Sequence, residues 1–279
     1  MSLLFITWNV DPEIFRVGSV AIRWYGLLFA LGFFLGYLIM YKIFRKEELP
    51  IKVLDELTTY MVIGTVVGAR LGHCFFYEPA YYLHHPLRIF MVWEGGLASH
   101  GAGIAIVLTI WLFSCRKKLP FLWVMDRVVI TVALAGLLIR TGNLMNSEIF
   151  GYNTTVPWGF QFVRIADATG ARHPTQLYEG LSYLAIFLFL WWYYYKKDGK
   201  PAPGFIFGTF LTLVFGARFF IEFLKEPQVQ VFEDALKMKT GMNLGQLLSI
   251  PFVIAGIILI FYSKGFLFGK IRKAKVKNE

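Results

Sequence analysis

Charged residues stand inside or beside long apolar runs of this sequence, where such side chains are rare. The clearest are Arg140, Arg218 and Glu222, each close to one end of an apolar run. A guanidinium group keeps its charge and offers a planar fork of hydrogen-bond donors that matches a phosphate. Arginines that converge near a membrane surface therefore indicate a site for the phosphate of a lipid.

Local pairing does not explain these charges. Arg218 and Glu222 are four residues apart on one helix face, but an arginine that precedes a glutamate is the less favourable order for a helix-stabilising pair. Arg70 is a further arginine near the end of an apolar run, and we expect it to bind the same ligand. The alternative is anchoring, in which each arginine extends to the membrane surface and hydrogen-bonds neighbouring helices.

The segment from Arg140 to Gly151 carries polar groups at close spacing. Asn143 and Asn146 offer amide donors and acceptors, and Glu148 adds a carboxylate. Gly151 permits close approach of the backbone to a ligand. We expect this segment to leave the fourth apolar run and to bind substrate in the loop that follows. The alternative is an ordinary helix end with turn residues.

Three further positions could serve the same chemistry. His100 opens the third apolar run, and because imidazole titrates near neutrality it could accept a proton or simply hydrogen-bond at a helix end. Tyr25 opens the first run and by itself is typical of an aromatic belt. Glu179 suits the positive end of a helix, with structural and functional interpretations equally favoured. No cluster of residues has metal-ligand spacing, so we expect neither a metal nor another cofactor.

The elements that position these residues are expected to be membrane helices. The 279 residues are 57% hydrophobic and 16% charged, more apolar than a soluble fold can cover. A run of about 20 apolar residues matches the thickness of a bilayer core. Such runs predict seven transmembrane helices near residues 17–41, 56–77, 97–114, 123–140, 176–195, 204–224 and 244–263. No flexible linker separates the runs, which predicts an all-α fold and a single polytopic membrane domain over residues 1–279.

The charges between the runs predict the orientation. Twice as many Lys and Arg residues lie in segments 42–52, 114–122, 195–203 and 264–279 as in segments 1–23, 78–96, 141–174 and 225–243. Because basic loops stay in the cytoplasm, the N-terminus is expected outside and the C-terminus inside. Topology thus explains the net charge of +10, and we expect no nucleic acid as a partner. The longer outer loops, above all 141–174, predict a small head on the outer face.

Eight motifs, in the same order from about residue 24 to residue 256, resemble those of the prolipoprotein diacylglyceryl transferase family. They are Trp24-Tyr25-Gly26, Gly68-Ala69-Arg70-Leu71-Gly72, Trp93-Glu94-Gly95-Gly96-Leu97, His100-Gly101, the segment from Arg140 to Gly151, the segment from His173 to Glu179, Arg218-Phe219-Phe220-Ile221-Glu222-Phe223 and Leu244-Gly245-Gln246-Leu247-Leu248-Ser249. The order of Arg, Gly, Asn, Asn, Glu and Gly in the fifth motif is the family's signature, so the resemblance is specific.

The resemblance implies a transferase of protein lipidation and lipoprotein biosynthesis in the bacterial inner membrane. Its partners would be phosphatidylglycerol, the lipobox peptide of a preprolipoprotein and the lipid bilayer. The diacylglyceryl group would pass to the lipobox cysteine thiol, forming a thioether and releasing glycerol phosphate. The positions that match family residues used in binding or catalysis are Tyr25, His100, Arg140, Asn143, Glu148, Gly151, Arg218 and Glu222.

A mechanism follows as a hypothesis. His100 accepts the thiol proton, Arg140 and Arg218 stabilise the departing phosphate, Glu222 orients Arg218, and Tyr25 hydrogen-bonds the lipid or the leaving group. The residues expected to bind substrate are Arg140, Asn143, Asn146, Glu148, Gly151 and Arg70.

Two points stay open at the level of sequence. Lys225 stands where the family usually has Arg, which keeps the charge but removes the bidentate fork. A transporter of lipids or organic anions would also hold buried arginines and glutamates, although the sequence lacks clear internal repeats. A structural scaffold would not explain why the polar residues gather toward one face.

Overall fold

The computed structural model describes residues 5–18, 20–92, 95–96, 98–165, 170–226 and 239–265. Helices dominate this part of the chain, and each predicted apolar run contains a long one. In chain order the α-helices are α1 (Trp24–Lys46), α2 (Ile51–Phe76), α3 (Pro79–His84), α4 (Ser99–Lys117), α5 (Phe121–Met145), α6 (Thr175–Lys196), α7 (Phe205–Ile221) and α8 (Leu244–Ser263). Two 3₁₀ turns, Pro86–Phe90 and Glu222–Leu224, follow α3 and α7.

The predicted membrane character is confirmed. In the described part of the chain, four helices are long and apolar enough to cross a membrane: Trp24–Lys46, Phe121–Met145, Phe205–Leu224 and Leu244–Ser263. Several such helices in one chain are typical of a multi-pass membrane protein. The count of seven spans stays a prediction.

The predicted predominantly helical fold is confirmed. The described residues also contain four short strands, which the all-α prediction did not include. Strand β1 (Ile6–Trp8) pairs in parallel with β4 (Phe160–Phe162), and β2 (Glu13–Val17) pairs antiparallel with β3 (Val20–Arg23). The first predicted span, 17–41, therefore begins too early. Apolar content alone does not distinguish a short strand from a helix, so hydropathy does not separate residues 17–23 from the helix that follows.

The fourth predicted span, 123–140, ends too early. Helix α5 continues to Met145 and includes Asn143, which we expected in the loop 141–174. Thr141 directs its hydroxyl to the carbonyl of Leu137, 2.9 Å away. Tertiary contacts outweigh the weak helix propensity of Asn, Thr and Gly here, and they place the first part of the signature segment on a rigid helix.

The chain forms two compact units. The first comprises Met1–Gly36 with Val128–Glu279, and the second comprises Tyr37–Arg127. In the second unit, α2 and α4 pack closely through small residues: a Cβ atom at Gly72 would lie 2.7 Å from the Cα atom of Gly101. Small residues at such crossings let membrane helices approach each other without a side chain between them.

In the first unit, α7 and α8 pack in the same way. A Cβ atom at Gly208 would lie 2.7 Å from the carbonyl oxygen of Gly256. Asn243 caps α8, because its side chain accepts from the Gln246 amide while the Gln246 side chain accepts from the Asn243 amide. The start of α8 is thereby fixed beside the end of α7.

A small apolar core joins the parallel strands to the end of α5. Leu144, Phe160 and Phe162 are buried together, with Trp8 packed against them. The Trp8 indole Nε1 donates to the carbonyl of Leu144 at 3.0 Å. This core fixes the end of α5, which carries the first part of the segment from Arg140 to Gly151.

Candidate active site

Arg140 and Glu179 form a salt bridge between α5 and α6. The side chain of Glu179 is 0% exposed and that of Arg140 is 14% exposed. Gly180 lies at this helix contact, where a Cβ atom would be 3.3 Å from a Leu137 methyl carbon and 3.6 Å from the Cβ atom of Arg140. Burial in low dielectric strengthens the attraction between the two charges and holds the guanidinium in place.

The amide of Asn143 joins Arg140 to Glu148. Its Oδ1 accepts from Arg140 at 3.0 Å, and its Nδ2 donates to Glu148 Oε1 at 2.8 Å. Asn146 donates to the same carboxylate oxygen at 3.1 Å. Two amides therefore hold the Glu148 carboxylate, and the signature residues form one hydrogen-bonded unit.

The turn after α5 is held in an unusual backbone conformation. Ser147 has φ +53° and Ile149 has φ +61°, a region that β-branched residues rarely adopt. Thr175 donates to the carbonyl of Ile149 at 2.8 Å, and Gln176 donates to the carbonyl of Glu148 at 2.6 Å. The start of α6 thus holds the strained turn in place, as is common at functional sites.

Gly151 allows two backbone segments to meet. Its amide donates to the His173 carbonyl at 2.8 Å, and it forms an antiparallel bridge with Lys225. A Cβ atom at this position would overlap the carbonyl oxygen of Leu224 and lie 2.8 Å from the Cβ atom of His173. The glycine is therefore required by packing and fixes the position of Lys225.

Lys225 connects two carboxylates. Its Nζ lies 3.3 Å from Glu179 Oε1 and 3.6 Å from Glu222 Oε2. Glu222 in turn lies 4.0 Å from the Nε of Arg218, beyond hydrogen-bond distance. The two arginines predicted from the sequence are thus linked through Glu179, Lys225 and Glu222.

Helix α8 packs against Glu222, and Tyr25 packs against the segment that contains Arg140. Asn243 donates to the backbone carbonyl of Glu222 at 3.1 Å, and a Cβ atom at Gly245 would overlap the Glu222 carboxylate. The ring of Tyr25 packs on Gly142, where a Cβ atom would be 2.8 Å from the ring. Tyr25 is close enough to Glu148 and Arg140 to interact electrostatically with both.

Beside this cluster, a neutral polar chain runs from Trp158 through Tyr178 to His173. The Trp158 indole donates to the Tyr178 hydroxyl at 2.9 Å, and that hydroxyl lies 3.1 Å from His173 Nδ1. Burial lowers the pKa of His173 below its usual value, because the charged imidazolium loses hydration. His173 is thereby held in its neutral form at pH 7.

Arg70 belongs to the second unit and is 2% exposed. Its Nε donates to the Ile89 carbonyl at 3.0 Å, and its Nη1 and Nη2 donate to the carbonyls of Gly95 and Arg88 at 2.5 Å each. The guanidinium also lies over the ring of Tyr82. These contacts anchor the segment between α3 and α4, and the predicted substrate-binding role of Arg70 stays a prediction.

His100 is the second residue of α4 and is exposed. The adjacent Gly101 lies against Gly68 and Gly72 of α2, which accounts for the glycine of this motif. Its role as proton acceptor stays a prediction. In the neighbouring motif, Trp93, Glu94 and Leu97 lie outside the described residues.

Sequence reasoning missed the partners that hold the arginines. The sequence favours structural and functional roles for Glu179 equally, and it marks Lys225 only as a departure from the family. Two features of the sequence could have indicated these partners. Glu179 is a carboxylate near the start of an apolar run, and Glu222 stands three positions before Lys225. In the structure these residues form a largely buried network with Arg140 and Arg218.

This chain is similar to known proteins over most of its length. The family described as Prolipoprotein diacylglyceryl transferase matches residues 12–262. A protein of Tolumonas auensis named phosphatidylglycerol–prolipoprotein diacylglyceryl transferase is 52% identical over 257 residues, which cover 92% of this chain and 96% of that protein. Proteins of the same name from Porphyromonas gingivalis and Chloroherpeton thalassium are 49% and 46% identical, covering 92% and 93% of this chain and 94% of each relative. The chain therefore belongs to the prolipoprotein diacylglyceryl transferase family of enzymes.

Proposed function

We propose that this chain transfers the sn-1,2-diacylglyceryl group of phosphatidylglycerol to the lipobox cysteine of a preprolipoprotein, the first step of bacterial lipoprotein maturation. Membership of the family and the names of the relatives support this function. The observation that carries it is a buried charge cluster in which Arg140 and Arg218 lie near the ends of apolar helices. Such a cluster suits the phosphate of a membrane lipid.

The reaction forms a carbon–sulfur bond and breaks a carbon–oxygen bond. The cysteine sulfur attacks the glyceryl carbon that bears the phosphate, and the bonding electrons leave with the phosphate oxygen as glycerol phosphate. The thiol proton passes to a base. A free thiol has a pKa of about 8.5, so deprotonation at pH 7 accounts for only about 2 kcal/mol of the barrier.

Stabilisation of the leaving group is therefore the larger requirement. Arg140 and Arg218 supply fixed positive charge where the phosphate gains negative charge, and one preorganised donor of this kind is worth about 3–4 kcal/mol. Asn143 and Glu148 hold Arg140 in position, and Glu222 orients Arg218. Fixed donors need no reorganisation during the reaction.

The remaining assignments follow the sequence hypothesis. His100 accepts or relays the thiol proton, and Tyr25 hydrogen-bonds the lipid or the leaving group. Asn146 and Gly151 shape the site around the head group through the contacts described above, and Arg70 contributes to substrate binding.

The same proposal includes the topology. Seven helices span the bacterial cytoplasmic (inner) membrane, with the N-terminus outside and the C-terminus in the cytoplasm. The active site faces the outer side, beneath a small head formed by loops. The excess of Lys and Arg in the segments assigned to the cytoplasm supports this orientation.

The test uses purified protein with phosphatidylglycerol and a lipobox peptide. We expect the peptide to gain the mass of a diacylglyceryl group while glycerol phosphate is released in equal amount. Arg140→Ala and Arg218→Ala should each abolish most of this activity, whereas Arg164→Ala, at an exposed arginine, should not. Movement of lipid without a covalent product would instead favour a transporter.

A further inference from the structure

Five charged residues of the first unit form a chain of alternating sign. Arg140 pairs with Glu179, Lys225 lies between Glu179 and Glu222, and Glu222 faces Arg218. Lys225 stands at the centre, and its side chain is 8% exposed. Its ammonium is thus directed at two carboxylates and little of it reaches the surface.

The backbone fixes Lys225 in this position. Gly151 forms an antiparallel bridge with it, and the amide of Tyr152 donates to the Leu224 carbonyl at 2.9 Å. The lysine is therefore tied on its backbone side to the signature segment. Together with the contacts of its Nζ with Glu179 and Glu222, this backbone position restricts the lysine side chain before any ligand binds.

The net charge of these five side chains depends on Lys225. Glu179 and Glu222 carry two negative charges, which Arg140 and Arg218 alone would only cancel. Lys225 brings these five residues to a net charge of +1. Together with Glu148, which Asn143 links to Arg140, the cluster is neutral with Lys225 and carries a net charge of −1 without it. An anionic phosphate would otherwise meet two buried carboxylates whose charge offsets that of the arginines.

The geometry at Arg218 points the same way. Among the described residues, the buried Nε of Arg218 and the buried Oε2 of Glu222 have no hydrogen-bond partner. The two atoms are 4.0 Å apart, while Lys225 lies 3.6 Å from the same Oε2. The attraction of Lys225 keeps the Glu222 carboxylate from closing on Arg218, so the guanidinium keeps a donor for a ligand.

We propose that Lys225 is a positioning residue that neutralises Glu179 and Glu222 and so keeps Arg140 and Arg218 available to the phosphate of phosphatidylglycerol. It does not bind the phosphate itself. This inference rests on the proposed function, since it concerns the same lipid. It also accounts for a lysine where the family usually has an arginine, because a single ammonium suffices for two carboxylates.

The test measures binding of phosphatidylglycerol by native mass spectrometry, with phosphatidylcholine as the zwitterionic reference. Lys225→Met should weaken binding of phosphatidylglycerol by roughly tenfold or more and leave phosphatidylcholine unaffected. Lys239→Met, at an exposed lysine of the same unit, is the matched control and should bind as the parent does. Unchanged binding by Lys225→Met would overturn the proposal.

A second variant separates neutralisation from direct contact. Adding Glu222→Gln to Lys225→Met restores the net charge of these five residues to +1, so binding should recover part of the loss even though Arg218 loses the carboxylate that orients it. No recovery would show that the ammonium contacts the phosphate, which contradicts the proposal.

Lys225→Arg keeps a cation and should bind within about threefold of the parent, which also serves if Lys225→Met does not fold. A folded Lys225→Arg that no longer binds phosphatidylglycerol would overturn the proposal. Because these readings concern lipid binding, they are independent of whether the parent transfers the diacylglyceryl group.

Discussion

Arg140 of α5 forms a salt bridge with Glu179 of α6, and the Glu179 side chain is completely buried. Breaking a buried pair by removing one charge leaves the other without compensation, at a cost of about 3–5 kcal/mol. We therefore expect Glu179→Gln to lower the thermal unfolding midpoint and to reduce transfer activity, since Arg140 loses its anchor.

The matched control is Glu56→Gln, which removes a carboxylate from a more exposed pair with Lys117. Such a pair contributes about 1 kcal/mol or less, so that variant should unfold and react nearly as the parent does. Equal stability of the two variants would show that the Arg140 pair is not structurally important.

Replacement of Asn143 tests whether its amide is needed as a hydrogen-bond donor to Glu148. Asn143→Asp keeps the shape but replaces the donor to Glu148 with a second carboxylate, and the side chain is 4% exposed. We expect a loss of about 1–3 kcal/mol in stability and a marked loss of activity, measured by thermal unfolding and peptide transfer. Asn153→Asp, at an exposed position in the following loop, should change neither.

Gly151 tests the close contact between the signature segment and the end of α7. Gly151→Ala would push a methyl group into the Leu224 carbonyl, and backbone cannot move aside as a flexible side chain can. We expect loss of the bridge to Lys225, lower thermal stability and little transfer activity. Gly216→Ala, with open space around the glycine, should retain both properties. A stable and active Gly151→Ala enzyme would contradict this account.

We predict that the stability of the folded protein depends on pH through His173. Burial lowers its pKa in the folded protein below the usual value of about 6.5. Between these two pKa values the unfolded chain binds more protons, so the contribution is fully present above about pH 6.5 and is lost as pH falls through the lowered pKa.

The measurement is the thermal unfolding midpoint between pH 7.5 and pH 5. We expect His173→Asn to show a weaker decline toward low pH than the parent. His84→Asn, at an exposed histidine, should follow the parent curve. Identical slopes for all three proteins would remove His173 as a source of the pH dependence.

The sequence alone determined the membrane character, the approximate positions of the long helices and most residues of the candidate site. The hydropathy of a segment depends only on its own residues, so each apolar run could be recognised without knowing which segments it contacts. Signature residues such as Arg140 and Asn143 were recognisable because their types and spacing are unusual in an apolar setting. The strands of three to five residues escaped, since so few positions show no clear alternation.

Only the tertiary structure decided which charges pair. Lys225 and Glu179 are 46 residues apart, and attraction between opposite charges does not by itself select one partner among several. Helix packing at Gly180 and the backbone bridge at Gly151 bring these side chains together and exclude water from them. The choice depends on burial and on contacts between distant segments, neither of which local sequence specifies.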